Sequence, residues 1–271
     1  MEHSLSPDMH NAAFGEMGIN YCYLAVPVRP EDLGDAVRAL KAWNVRGVNV
    51  TVPHKEKVVR FLDELDKEAE FIGAVNTIVN TEGKLKGYNT DGRGFMRSLE
   101  EENIPVKGKN VLVIGAGGAS RAISYYLSGE ANRVSIFDID TEKLDTLVRD
   151  LKNIRDNVRA LEKIDSIKEE DVVINATPLG LKETDPLPLA ISFLKEGLLK
   201  EGLVVGDLIY RDTPLQKKAR EMGLKTFNGL GMLLWQGVLA SELWTGMRPL
   251  HDTIDTMRKA MREALLAGMN K

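Results

Sequence analysis

The sequence is poor in cysteine, in long apolar runs and in blocks of like charge. Cys22 is the one thiol in 271 residues, which excludes a disulfide framework and leaves no thiol pair for a metal. His3, His10, His54 and His251 form no H-E-x-x-H or similar cluster, so no metal site is expected. The longest stretch without charge, Phe227 to Ser241, falls short of the roughly 18 apolar residues of a membrane span. It also carries Asn228, Gln236 and Ser241. Lys and Arg number 36 against 40 Asp and Glu, a net charge of -4, and no basic stripe tracks a phosphate backbone. Neither nucleic acid nor membrane is an expected partner. With no basic leader or apolar signal core at the N-terminus, a reducing cytoplasm is the expected location.

What is present is globular composition, 43% hydrophobic and 28% charged, in a length that suits about two domains. Short apolar runs alternate with amphipathic segments, which predicts an α/β architecture. Pro7 to Met17 is read as a helix capped by Ser6 and Asn20 to Val28 as a strand. A second helix opens at Pro30, with Leu33, Val37 and Leu40 at helical spacing. Gly47 to Val52 alternates with period two. If Val48, Val50 and Val52 face the core, Asn49 and Thr51 share the opposite face, beside Pro53-His54-Lys55 at the start of a further helix. Ala74 to Val79 and Leu85 to Tyr88 pair as strands around Glu82-Gly83, and Asn89-Thr90-Asp91-Gly92 turns the second into a helix. Glu64 to Glu70 and Glu162 to Glu170 read as solvated helix faces.

Beyond Pro105 and Gly108 the character changes to Asn110-Val111-Leu112-Val113-Ile114, a strand apolar on both faces, as in a parallel sheet. Val134 to Phe137, Val172 to Asn175, Val204 to Leu208 and Lys225 to Phe227 continue it as a doubly wound sheet. The expected division is 1-100, completed by C-terminal helices from about 238 to 271, and 101-237. Two final helices begin near Gly231 and His251, at least one packing back on the first domain.

Gly115-Ala116-Gly117-Gly118-Ala119-Ser120-Arg121 follows the apolar strand and opens a helix, where the backbone can approach a pyrophosphate and free N–H groups face it. Ser120 takes the third glycine position. Asp138 lies 21 residues beyond Gly117, where an acid accepts hydrogen bonds from ribose hydroxyls and repels a 2'-phosphate. That favours NAD. Arg121 and Lys143 are cations that would pair with such a phosphate, which leaves dual use with NADP open. Asp140 reads as the cap of the helix from Thr141.

A nicotinamide cofactor implies hydride transfer, so the first domain should offer a proton donor. It has Lys55 at one strand-to-helix turn and Asp91 at another. An ordinary aspartate is ionised at neutral pH and cannot protonate a forming alkoxide, whereas a lysine ammonium can. Lys55 is then the acid and Asp91 the group that orients it, and oxidation is expected to improve at alkaline pH.

The motifs Ser4-Leu5-Ser6-Pro7, Asn49-Val50-Thr51-Val52-Pro53-His54-Lys55, Ala74-Val75-Asn76-Thr77, Asn89-Thr90-Asp91-Gly92, Asn175-Ala176-Thr177-Pro178-Leu179-Gly180 and Gly229-Leu230-Gly231-Met232-Leu233-Leu234-Trp235-Gln236 together resemble the shikimate dehydrogenase family along essentially the whole chain. The resemblance implies an N-terminal substrate domain, a Rossmann-type dinucleotide domain and reversible reduction of 3-dehydroshikimate in aromatic amino-acid biosynthesis, with the substrate in a cleft between the domains. It implies that Ser4 and Ser6 bind the substrate carboxylate. Asn76, Asp91, Thr51 and Gln236 bind around the ring, Asn49 supports the pocket, and Tyr210 reaches in from the cofactor domain. Lys55 and Asp91 form the catalytic pair. Gly115, Ala116, Gly117, Gly118, Ala119, Arg121, Asp138, Lys143, Thr177 and Gly229 form the NADP or NAD site of a monomer or homodimer.

The chain departs from the family pattern in three ways. Met1-Glu2 directly precede His3-Ser4, where the family has a core strand and a Gly-Asn-Pro-type turn; either the start lies upstream or that strand is absent. Asp138-Ile139-Asp140 stands where NADP-using members resemble Asn-Arg-Thr. The Ser-x-Ser pair is of the shikimate type without excluding quinate, so an NAD-dependent quinate/shikimate dehydrogenase is the alternative. A catalytically silent dinucleotide sensor would keep the glycine turn but need neither Lys55 nor Asp91.

Overall fold

The computed structural model describes residues 4–182, 184–186, 188 and 199–269. In chain order the elements are α1 (Ser6–Glu16), α2 (Leu33–Ala42), β1 (Gly47–Asn49), β2 (Glu64–Leu65), α3 (Lys67–Ile72), β3 (Thr77–Thr81), β4 (Lys84–Tyr88) and α4 (Asp91–Glu101). There follow β5 (Asn110–Ile114), α5 (Gly118–Glu130), β6 (Arg133–Phe137), α6 (Thr141–Lys152), β7 (Val158–Ala160), β8 (Val172–Asn175), β9 (Val204–Asp207), α7 (Pro214–Glu221), β10 (Lys225–Phe227), α8 (Gly229–Thr245) and α9 (His251–Met269). They form two units: the chain up to Thr90 together with the chain from Leu234, and Asp91–Leu233. The sequence reading put residues 91-100 with the first domain; in the structure α4 packs on α5 and belongs to the second unit.

The first unit holds a sheet of order β1-β3-β4-β2, in which β3 runs antiparallel to β1 and β4. Because strand side chains alternate, Ile78 faces a cluster with Leu33, Val37, Val58, Ala69 and Leu85. Its neighbour Val79 faces Phe14, Ala240 and Trp244 on the other side. The α1 and α9 helices pack together within this unit.

Several expectations change here. The helix predicted over Pro7 to Met17 runs from Ser6 to Glu16, so Ser6 lies inside it rather than capping it; the N-cap is Leu5, no side chain caps this end, and the Ser6 N–H donates to the Ser4 hydroxyl at 3.4 Å. Asn20 to Val28 is not a strand. A strand needs a neighbour for its N–H and C=O groups; side chains hold this segment instead. The Asn11 amide brackets the main chain of Tyr23 at 2.7 and 2.9 Å, and His54 Nε2 meets the Val28 carbonyl at 2.9 Å. Leu24 and Val26 remain 72% and 61% exposed. The β1 ladder stops at Asn49, and Val52, expected in the core, is 79% exposed. Pro53 has no N–H to prolong a ladder, and the Val52-Pro53 bond is cis. The helix expected after Pro53 is a turn followed by a short 3-10 segment, Val59–Phe61. Glu64 belongs to β2 rather than to a helix face, and Glu170 is buried and paired with Arg133 rather than solvated.

The second unit is built on a parallel sheet of order β10-β9-β8-β5-β6-β7. Leu112, Ile114, Phe137, Val173 and Val205 cover one face with Leu215 and Ala219 of α7. The strand β7 escaped the sequence reading because Val158-Arg159-Ala160 is short and exposes two of its three residues. Asp140 caps α6 by accepting the Lys143 N–H. The strand order reverses at β5, with β6 and β7 added on one side of it and β8, β9 and β10 on the other, and ligands of such sheets bind beyond the carboxyl ends of the strands at that switch. No helix among the described residues is long and apolar enough to cross a membrane.

Candidate active site

In the first unit, the ends of β1, β3 and β4 bring polar side chains into one network. The ladder prepares it: Val50 N–H donates to the Asn76 carbonyl at 2.8 Å, and Asn76 N–H donates to that of Tyr88 at 3.0 Å. Asn49 Nδ2 then donates to the Asn76 carbonyl at 3.2 Å and to the Thr77 hydroxyl at 3.1 Å. Asn76 Oδ1 accepts from the Thr77 hydroxyl at 3.0 Å, from Thr90 N–H at 2.8 Å and from the Thr90 hydroxyl at 3.2 Å. Its Nδ2 reaches the Thr90 hydroxyl at 3.0 Å and Gln236 Oε1 at 3.5 Å. All of Asn76, Thr77, Thr90 and Gln236 are buried. Buried amides and hydroxyls bonded to one another are fixed in direction. That is the equipment for reading hydroxyl groups on a small ligand.

Lys55 is tied to the same place by its main chain, since its carbonyl accepts the Val75 N–H at 2.8 Å, and it is half-buried. Asp91 follows Thr90 directly, is buried and opens α4. Ser6 neighbours Tyr23: burial pushes the Tyr23 phenol up to about 12, against a smaller opposite effect of the Ser6 hydroxyl. Tyr23 in turn donates to Asn49 Oδ1 at 2.9 Å. Thr51 lies outside this network, exposed in the turn beyond β1.

In the second unit Gly115 turns with φ +113°, and a Cβ there would stand 3.0 Å from the Ala176 carbonyl. Only glycine suits that position. Gly117 is the N-cap of α5 and no side chain caps this end, which leaves N–H groups for a ligand's phosphate oxygens. Gly118 and Ala119 open the helix. Asp138, just past β6, accepts the Ala116 N–H at 2.6 Å and the Asp140 N–H at 2.8 Å. Its carboxylate is thus fixed beside the glycine turn. The residues present fit a dinucleotide. Arg121 and Lys143, expected to face a phosphate, are engaged by carboxylates: Arg121 meets Asp150 at 2.5 Å and Lys143 meets Asp140 at 2.7 Å.

Beyond β8, Thr177 donates its N–H and hydroxyl to Asn175 Oδ1 at 3.1 and 2.7 Å, which folds the Thr177-Pro178-Leu179 turn. Beyond β9, Asp207 accepts from Ile209 N–H at 3.0 Å and from the Thr213 hydroxyl at 2.8 Å, pinning the loop that carries half-buried Tyr210. Burial pushes the Asp207 carboxyl up, and those bonds oppose it. Gly229 opens α8, its N–H donating to the Ile209 carbonyl at 3.2 Å.

Sequence reasoning missed Tyr23, Thr77 and Thr90. Thr77 and Thr90 adjoin residues it chose, and position in the motif was the available signal. Nothing local marks Tyr23. Among the described residues no cluster of His, Cys, Asp and Glu is suited to a metal ion.

Family models match along most of the chain. They are the shikimate dehydrogenase substrate binding domain over residues 1–78, shikimate / quinate 5-dehydrogenase over 98–180 and the shikimate 5'-dehydrogenase C-terminal domain over 229–266. The shikimate dehydrogenase (NADP(+)) of Methanocaldococcus jannaschii is 42% identical over 269 residues, 96% of this chain and 93% of that one. The shikimate dehydrogenase structure from Aquifex aeolicus aligns with a TM-score of 0.88 at 39% identity, covering 96% of this chain and 94% of that one. The Listeria monocytogenes shikimate 5-dehydrogenase, solved with shikimate and NAD, aligns at 0.85 and 37% identity over 94% and 92%. By motif, fold and similarity across nearly its full length, this chain belongs to the shikimate dehydrogenase family.

Proposed function

We propose that the chain catalyses the reversible, nicotinamide-dependent reduction of 3-dehydroshikimate to shikimate, in the route to the aromatic amino acids. The observation that carries this reading is the uncharged, interlocked network of Asn49, Asn76, Thr77, Thr90 and Gln236. Asp91 follows Thr90 in the chain, and Lys55 is tied through its carbonyl to Val75, next to Asn76. A polyhydroxy ring suits amide and hydroxyl groups whose directions such a network holds fixed. Ser4 and Ser6 hold the carboxylate, and Thr51 and Tyr210 complete the contacts. Lys55 gives its proton to the ketone oxygen as it becomes a hydroxyl and recovers it in the reverse direction. Asp91 orients the ammonium. The bound nicotinamide supplies or accepts the hydride, and Gly115, Ala116, Gly117, Gly118, Ala119, Thr177 and Gly229 hold the dinucleotide.

For the cofactor, the geometry supports NAD, or dual use, in a family whose relatives include NADP(+) enzymes. A 2'-phosphate would bring its charge beside Asp138 and Asp140, while Arg121 and Lys143 already carry carboxylate partners. The test is a panel of steady-state rates with shikimate and quinate, each with NAD and NADP. Turnover of shikimate is expected to exceed that of quinate, and NAD to exceed NADP. Absence of shikimate turnover with either nucleotide rejects the reading, and preference for quinate moves it to the quinate-using branch. Asp138→Asn removes the charge and is expected to raise kcat/KM for NADP relative to NAD; an unchanged ratio removes Asp138 from cofactor choice.

A further inference from the structure

The first unit contains a fully buried imidazole that the proposed chemistry does not use. His10 of α1 has no exposed surface, and its Nδ1 lies 2.9 Å from the Ser241 hydroxyl on α8. Its ring stacks on Tyr23 at 4.5 Å between centroids with planes 14° apart, and Trp244 lies against it at 5.1 Å. Nε2 is buried with no hydrogen-bond partner among the described residues. Tyr23 belongs to a segment without ladder bonds, so the placement of its phenol relies on this stack and on the Asn11 bracket. The phenol then donates to Asn49 Oδ1, which frees the Asn49 amide nitrogen to hold the Asn76 carbonyl and the Thr77 hydroxyl. Each amide in the line has one orientation that satisfies both neighbours.

We infer that His10 is a positioning residue for substrate affinity: held by Ser241, it fixes the Tyr23 phenol and through it the donor and acceptor directions of Asn49 and Asn76. The imidazole does this as a neutral ring, because burial pushes it down to about 3, outweighing the opposite effect of the Asn49 side chain. Its role is therefore one of shape and hydrogen bonding, not of charge or proton transfer. The inference rests on the proposed shikimate activity.

The experiment compares His10→Phe, Ser241→Ala, Tyr23→Phe and the His10→Phe/Tyr23→Phe double variant with the unaltered chain, by steady-state kinetics and thermal melting. His10→Phe keeps the stack and loses the Ser241 bond. It is expected to raise KM for shikimate about tenfold, the worth of roughly one hydrogen bond, with kcat and the nucleotide KM within twofold. Ser241→Ala should reproduce the direction of that change. The double variant should be no worse than the poorer single one, since both break the same line. Unchanged shikimate KM in folded His10→Phe and Ser241→Ala, or simple multiplication of effects in the double variant, overturns the inference alone. An unaltered chain that turns over no shikimate removes both it and the proposed function.

Discussion

Lys55 and Asp91 differ in what their surroundings ask of them. Asp91 is buried behind Thr90, whose N–H and hydroxyl are spent on Asn76, while Lys55 is half-buried and anchored through its carbonyl to Val75. If Lys55 carries the proton, Lys55→Ala is expected to lower kcat by about 10²- to 10⁴-fold with little change in the nucleotide KM. Near-normal turnover would take it out of the mechanism. His10 makes a prediction about stability. Its folded value of about 3 lies below its ordinary 6.5, so between those limits the unfolded chain binds the proton and the folded chain does not. Stability therefore rises with pH through that window, and acidification from pH 7 to pH 4 removes about 3 kcal/mol through this group. Denaturant unfolding along that range should show the slope, and His10→Phe should flatten it. A slope of equal size in the variant would assign the acid sensitivity elsewhere.

At the scale of elements, β1 and α8 are fitted to each other at a single small residue. Trp244 Nε1 donates to the Ile78 carbonyl at 3.0 Å, and Arg46 Nε donates to the Trp244 carbonyl at 2.6 Å. A Cβ on Gly47 would stand 2.2 Å from Trp244 Nε1 and 2.5 Å from the Ile78 carbonyl. Neither atom can withdraw without breaking the bond between them. Gly47→Ala is therefore expected to destabilise the chain by about 1–3 kcal/mol through overpacking, read as a lower urea midpoint with quenched or shifted tryptophan emission. An unperturbed midpoint would mean that the contact yields freely. The pairing of β1 with β3 explains why the period-two pattern over Gly47 to Val52 was only half right. Its first half is a strand because β3 offers a partner, and its second half leaves the ladder after Asn49, ahead of Pro53.

At the scale of the whole molecule, the first unit is discontinuous in sequence, and its second face depends on residues from the far end of the chain. Phe14 and Val79 share their cluster with Ala240 and Trp244, and α1 packs on α9. The second unit is drawn from one continuous stretch, Asp91–Leu233. Truncation after Leu233 is expected to expose the apolar side of β3 and leave the first unit unfolded, while the parallel sheet of the second persists. Limited proteolysis should then degrade the N-terminal ninety residues and spare a fragment that contains β5 to β10. Equal protection of both parts would show that the C-terminal helices are dispensable.

The sequence by itself determined the features that local chemistry enforces. The buried run Asn110 to Ile114 is a strand because it is apolar on both faces, and the glycines after it turn because Gly115 needs a positive φ. Asp140 caps α6, and the motif resemblance located Asn49, Asn76 and Gln236, which the fold joins. Tertiary structure alone decided whether an extended segment finds a ladder partner, which is why Asn20 to Val28 is not a strand. It also decided which carboxylate answers which cation, so that Arg121 turned to Asp150. The reason is common to both: hydrogen bonds and ion pairs between residues far apart in sequence depend on distances that the local pattern does not contain. His10 and Tyr23 join the site by the same route, through a stack and a bond that only the folded chain creates.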